Sequence, residues 1–164
     1  MFEPFCFKRD KRPKFAPVSK ILFYLIIKPL SYLPMWILYG ISNFLSFVFY
    51  NLVPYRKKVV ISNLSNSFPE KSEKEIEHIT RKFYNHLCDL IVESVKLFSI
   101  SEKEIAKRFV VNNPEFLQPL FDEGKSVIIV GGHYNNWEIL ASGIDNQVPH
   151  VSVALYSKLN NAFF

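Results

Sequence analysis

The most prominent feature of the hydropathy pattern is a long apolar run near the start of the chain. Lys28 is its only charged residue, and residues 29–55 carry no charge at all. That length exceeds the ~20 residues that a helix needs to cross the hydrocarbon core of a bilayer. Pro29 and Pro34 interrupt the run, so one tilted span and a broken helix that dips into one leaflet both fit it. We predict a membrane-anchor segment at 21–53, with a buried helix of a soluble core as the alternative.

The charge of the chain is concentrated around this run. Residues 1–58 carry ten basic and two acidic residues, whereas 59–164 carry ten basic and thirteen acidic ones. We interpret 1–20 as a basic tail. Each basic residue near an anionic membrane surface contributes ~1 kcal/mol of attraction. Because no nucleic-acid recognition motif accompanies the charge, we predict a membrane partner and no nucleic acid.

The cysteines exclude a small disulfide-rich protein and a small zinc-binding protein. Cys6 and Cys88 are the only two cysteines, and neither belongs to a metal-ligand spacing. Two cysteines make no disulfide framework, and no Cys- or His-rich tract predicts a zinc site. We therefore expect reduced thiols and no structural metal.

Beyond the apolar run the pattern is typical of a folded domain. Capping boxes at Ser72 and Ser101 predict a long helix that ends near Phe98 and a short one that ends near Arg108. Asp89 and Glu93, four residues apart, form an acidic pair that we interpret as structural. The predicted buried stripe of the long helix consists of Ile76, Ile79, Phe83, Leu87, Leu90, Ile91 and Phe98.

The second half of the chain has the pattern of alternating strands and helices. Short β-branched runs predict strands at 109–111, 126–130 and 151–155, and 134–144 predicts a helix. This order predicts an α/β fold whose functional crevice lies at the carboxyl ends of the strands. His133 follows the strand predicted at 126–130 and therefore lies where such a crevice would be.

The chemistry-bearing residues of this segment are His133 and Glu138. Five residues of one continuous helix rotate by ~500°, so the two side chains meet only if His133 lies in the turn before the helix. Gly131 and Gly132 permit such a turn. A neutral imidazole is a base suited to neutral pH, and a carboxylate on its second nitrogen fixes the tautomer. A loop histidine beside a solvated carboxylate is the alternative interpretation.

Several motifs in one order resemble the bacterial lipid A biosynthesis acyltransferase family. The matching pieces are 55–60, 63–64, 67–72, Phe83 with Tyr84, Asp89, 113–115, and 133–138, where His133 and Glu138 fit the ends of the family's H-x-x-x-x-D/E motif. The similarity runs from about residue 21 to 155.

This resemblance implies transfer of an acyl chain from acyl carrier protein to a hydroxyl of a lipid A precursor, at the cytoplasmic face of the inner membrane. His133 would be the general base and Glu138 its orienting partner, and the resemblance implies no metal and no bound cofactor. Among substrate-binding residues, Asn136 would shape the site and Arg56 would contact phosphate headgroups or the acidic carrier protein. A solvated cluster at the membrane edge is the alternative for Arg56.

The resemblance also implies a longer protein. We expect 21–53 to be followed at 54–164 by the incomplete first part of an acyltransferase-type α/β sheet domain. The chain is then either a fragment of an enzyme or an inactive, membrane-bound truncated remnant. A glycerolipid, glycolipid or amino-lipid acceptor stays open, because the motif acts on the nucleophile and not on the identity of the acceptor.

Overall fold

The structure is a computed structural model that describes residues 20–132 and 134–153. Over those residues it contains seven α-helices, some joined to a short π or 3-10 turn. In chain order they are α1 (Lys28–Ser31), α2 (Met35–Phe47), α3 (Lys57–Ser67), α4 (Glu73–Lys96), α5 (Glu102–Arg108), α6 (Gln118–Asp122) and α7 (Trp137–Gly143). The π turns are Phe23–Ile27 before α1 and Val48–Leu52 after α2, and the 3-10 turn Pro114–Leu117 precedes α6. Nearly all of the predicted basic tail, 1–19, lies outside the described residues.

The apolar run is a helix that breaks between α1 and α2. Pro34 caps α2 with a ψ of 148°, and a proline disfavours helical geometry in the residue before it. The Lys96 ammonium donates hydrogen bonds across the break to the carbonyls of Ser31, at 2.9 Å, and Leu33, at 3.1 Å. The helix of the apolar run is therefore broken, and whether it crosses the bilayer or dips into one leaflet stays a prediction. By length and composition, Met35–Leu52 is the one helix in the described part that is able to cross a membrane.

A row of polar side chains joins α2 to α4 in antiparallel orientation. The hydrogen-bonded pairs are Tyr39–Glu93 at 2.8 Å, Ser42–Asp89 at 2.5 Å, Ser46–Asn85, and Tyr50–Glu77 at 2.9 Å. We call these four pairs the polar seam. Ser42 and Ser46 are buried, and such small residues let two helices approach closely. The side of α2 that faces α4 is therefore its more polar side.

Helix α4 begins where the sequence predicted. The Ser72 hydroxyl accepts from the Glu75 amide and the Glu75 carboxylate accepts from the Ser72 amide, so the predicted capping box is confirmed. Ser101 likewise caps α5 by accepting from the Glu104 amide. The predicted stripe of α4 is mostly wrong, because Phe83 is 40% exposed and the row that is buried is Ile76, Thr80, Tyr84, Cys88 and Val92. On α4, each residue of the polar seam directly follows a residue of this buried row.

The predicted α/β sheet domain is wrong for the part of the chain that the structure describes. That part is 66% helical and contains no strand. The run at 126–130 has no regular secondary structure, and its Ile128 and Val130 are 90% and 89% exposed. An extended segment becomes a strand only when another strand takes up its backbone hydrogen bonds, and among residues 20–132 and 134–153 none does. At 151–153 there is likewise no strand, and 154–155 lie outside the described residues.

The side chain of Gln147 explains why the strand predicted at 109–111 does not form. The Gln147 carboxamide accepts from the Val111 amide at 2.8 Å and donates to the Phe109 carbonyl at 2.7 Å. The same nitrogen donates to the Gly143 carbonyl at 3.3 Å. Backbone groups that a sheet ladder would use are therefore bonded to one glutamine in the turn that follows α7.

Helix α7 is positioned by a close approach to α5. A β-carbon at Gly143 would lie 2.7 Å from Cγ2 of Ile105 and 3.1 Å from Cδ1 of Phe109. Ile105 is itself buried. Glycine is therefore required at this crossing, and the crossing fixes the helix on which Glu138 lies.

Candidate active site

The turn that precedes α7 carries the sequence motif. Asn136 caps the helix, and its side-chain oxygen accepts from the Ile139 amide at 3.3 Å. Asn135 has a φ of 54°, a left-handed conformation that asparagine adopts more readily than most residues. The helix predicted from residue 134 consequently starts only at Trp137.

A carboxylate from α4 connects this turn to the rest of the molecule. Glu93 Oε2 accepts a hydrogen bond from Asn136 Nδ2 at 2.6 Å. Its other oxygen, Oε1, accepts from the Tyr39 hydroxyl at 2.8 Å. Asn136 is thereby held at both ends of its amide, by α4 through the nitrogen and by α7 through the oxygen.

A cavity of about 440 Å³ opens beside the turn. Gly132 and Tyr134, the residues that flank position 133, both line it, and so does Asn136. Glu93 and Arg108 contribute one acidic and one basic side chain to the wall. A few polar and charged groups among apolar and aromatic ones thus line a space large enough for part of a substrate, which is the composition that binding clefts commonly have.

The predicted site residues are distributed unevenly around this cavity. Asn136 lines it, whereas Arg56 does not. Arg56 is exposed at the N-terminus of α3 with a φ of 53°. Glu138 is half-buried in the first turn of α7, and its carboxylate makes no hydrogen bond or ion pair with another described residue. His133 lies outside the described residues, so its role and that of Glu138 stay predictions.

Sequence reasoning missed two residues of the cavity, Glu93 and Arg108. The acidic pair Asp89–Glu93, which the sequence led us to interpret as structural, accepts on both carboxylates from hydroxyls of α2. A signal was present, because Tyr39 and Ser42 recur one helical turn apart in an otherwise apolar run. Arg108 gave no such signal, since it ends a short helix that shares no motif with the turn.

The family of the chain follows from a match that covers most of its length. Residues 11–164 match the family described as bacterial lipid A biosynthesis acyltransferase. The chain belongs to this family. No curated protein and no solved structure matches it. The family indicates an acyltransferase, with an acyl donor and a lipid acceptor in general terms.

In the part of the chain that the structure describes, no group of three or more histidine, cysteine, aspartate or glutamate side chains is arranged to hold a metal ion. The polar and charged side chains that line the cavity include those of Glu93, Arg108 and Asn136, and Tyr134 and Trp137 are among its aromatic walls.

Proposed function

We propose that this chain transfers a fatty acyl group from acyl carrier protein to a hydroxyl of a lipid A precursor at the cytoplasmic face of the inner membrane. The observation that carries the proposal is the family match over residues 11–164, which includes the H-x-x-x-x-E motif. The cavity beside that motif supports it, since a reacting centre needs a space in which two substrates meet.

The chemistry is a direct transfer with no covalent enzyme intermediate. His133 accepts the proton of the acceptor hydroxyl while the oxygen attacks the carbonyl carbon of the thioester. A carbon–oxygen bond forms, the carbon–sulfur bond breaks, and the proton passes from the imidazolium to the leaving thiolate. Glu138 orients His133 and stabilises the imidazolium, as the acid does in a hydrolase triad.

Two arginines supply positive charge for anionic groups of the substrates. Arg108 lies in the wall of the cavity, where a guanidinium is suited to bind a phosphate in bidentate fashion. Arg56 is exposed beside Lys57 and Lys58, just after the apolar run, where it would contact anionic headgroups or the acidic carrier protein. Asn136, which belongs to the motif, lines the same cavity as Arg108 and shapes it.

The exposed side of α2 supports the membrane part of the proposal. Its polar side faces α4, and Trp36 and Phe44 on the other side are 76% and 65% exposed. Leu25, before α1, is 71% exposed as well. Large apolar patches on a protein surface commonly mark membrane or protein contacts. We assign this surface to the lipid bilayer.

Lipid mass spectrometry of a deletion strain tests the function. We expect its lipid A to lack one acyl chain, and expect the wild-type gene, but not the His133→Ala variant, to restore it. An unchanged lipid A profile would refute the lipid A acceptor. A change confined to a glycerolipid, glycolipid or amino-lipid would replace it with that acceptor.

A further inference from the structure

Glu93 lies where three parts of the fold meet. It belongs to α4, it accepts from Tyr39 of α2, and it accepts from Asn136 at the start of α7. The two donors are 54 residues before and 43 residues after it in the chain. Glu93 is a side chain of α4 that bonds directly to the segment 134–136 before α7.

A carboxylate suits both contacts. Tyr39 and Asn136 each donate, and a carboxylate offers an acceptor oxygen to each of them. The contact to Asn136 is 2.6 Å long. A glutamine at this position would keep one acceptor oxygen, for Asn136, and its NH2 group would have to face the Tyr39 hydroxyl, which can also accept.

The second end of Asn136 carries this constraint into the helix. Its Oδ1 accepts from the Ile139 amide at 3.3 Å, so the amide cannot rotate without losing a helix cap. Glu138 lies between Asn136 and Ile139 in the same first turn. A shift of Glu93 would therefore move the turn on which the predicted orienting carboxylate stands.

We propose that Glu93 is a positioning residue for the transfer reaction, which holds the turn before α7 against the α2–α4 pair through Asn136. The inference rests on the proposed function, because it assigns Glu93 a part in that reaction. Glu93 acts through Asn136 and not on the substrate. Its contribution is to keep the reacting groups in register, where a displacement of about 1 Å costs about 100-fold in rate.

An exchange of hydrogen-bonding groups tests this pairing in full-length protein in native membranes. Asn136→Asp keeps the helix cap but sets a second carboxylate against Glu93, so we expect kcat to fall by about 100-fold with an unchanged KM for the acyl donor. Adding Glu93→Gln restores a hydrogen-bond donor to the pair, because the glutamine amide at position 93 can donate to the carboxylate at position 136. We expect the double variant to recover most of the lost kcat.

The matched control is Glu77→Gln at the far end of the polar seam. Glu77 also accepts from a tyrosine of the apolar run, Tyr50 at 2.9 Å, but it does not line the cavity. We expect its kcat and KM to equal those of the wild type. Thermal unfolding of each variant verifies that all are folded.

The outcomes separate this inference from the function on which it rests. Full activity of Asn136→Asp would overturn the positioning role. Failure of the double variant to recover would also overturn it and would assign Asn136 to the substrate itself. A wild-type protein that transfers no acyl group, in a strain whose deletion leaves every lipid unchanged, would instead refute the proposed function.

Discussion

The crossing of α5 and α7 gives a sharp prediction about stability. At Gly143 a β-carbon would approach Cγ2 of Ile105 to 2.7 Å. That methyl group is attached directly to the β-carbon of a β-branched residue in a helix, where one χ1 rotamer is strongly preferred. It cannot turn aside at low cost. Gly143→Ala must therefore push α7 away from α5 or force Ile105 out of its rotamer.

Two opposing effects set the size of the change. Overpacking by a methyl group typically costs about 1–3 kcal/mol, and alanine in a helix gains about 0.5–1 kcal/mol over glycine. We expect a net loss of about 1–2 kcal/mol for Gly143→Ala. The matched control is Gly40→Ala in α2, where no atom lies within 4 Å of the added carbon. Gly40→Ala should gain only the higher helix propensity of alanine. The free energies of unfolding of the two variants therefore differ by the cost of the clash.

Thermal unfolding in one detergent, at one scan rate, measures this difference. A chain of this size shifts by about 2–4 °C for each kcal/mol. We expect Gly143→Ala to melt below the wild type and Gly40→Ala at or above it. Acyl transfer should fall only in Gly143→Ala, because α7 carries Glu138. Equal melting temperatures for the two glycine variants would refute the tight crossing.

Three further predictions concern the membrane segment, a capping box and the catalytic pair. Carbonate washing should leave the chain in the membrane pellet, because 21–53 carries an apolar surface; release into the supernatant would contradict an integral segment. Hydrogen bonds from the backbone amide and the hydroxyl of Ser72 lower the pKa of Glu75. The ionised Glu75 in the capping box therefore stabilises the folded state above the ordinary glutamate pKa, and this stabilisation is lost as the pH falls through the lowered pKa. Glu75→Gln keeps the box without titrating, and its unfolding temperature should fall less steeply in acid; identical acid profiles would contradict this. His133→Ala should lose about 10²–10⁴-fold in transfer, and Glu138→Asp should retain more activity than Glu138→Gln, whose amide cannot stabilise an imidazolium; the reverse order would argue against the orienting role.

The parts of the fold that the sequence predicted correctly are those decided by neighbours in the chain. Ser72 and Ser101 cap helices because their hydroxyls reach amides three residues ahead. Gly124, two residues after α6, has a φ of 67°, which favours glycine just past the end of a helix. Each of these geometries closes within one turn, so a short pattern contains all the information that it requires.

The predictions that failed depend on partners far away in the chain. The apolar run at 126–130 has the composition of a strand, but strand formation is decided by a second segment, which local composition does not specify. At Val111 the partner is the side chain of Gln147, 36 residues later. From the sequence, Glu93 is likewise one half of an acidic pair, whereas in the structure its two oxygens accept from Tyr39 and Asn136.

The polar seam links these observations, since it explains how a helix as apolar as α2 is held in one register. If a bilayer covers the outer face of α2, as proposed, the hydrophobic effect does not drive it against α4, because lipid is as apolar as the helix. Hydrogen bonds then select the pairing. A slip of one residue rotates a helix by about 100° and would turn every hydroxyl of α2 away from its acceptor. Because Glu93 ends the seam and also bonds to Asn136, one carboxylate takes part both in the pairing of the apolar helix with α4 and in the contact to the segment before α7.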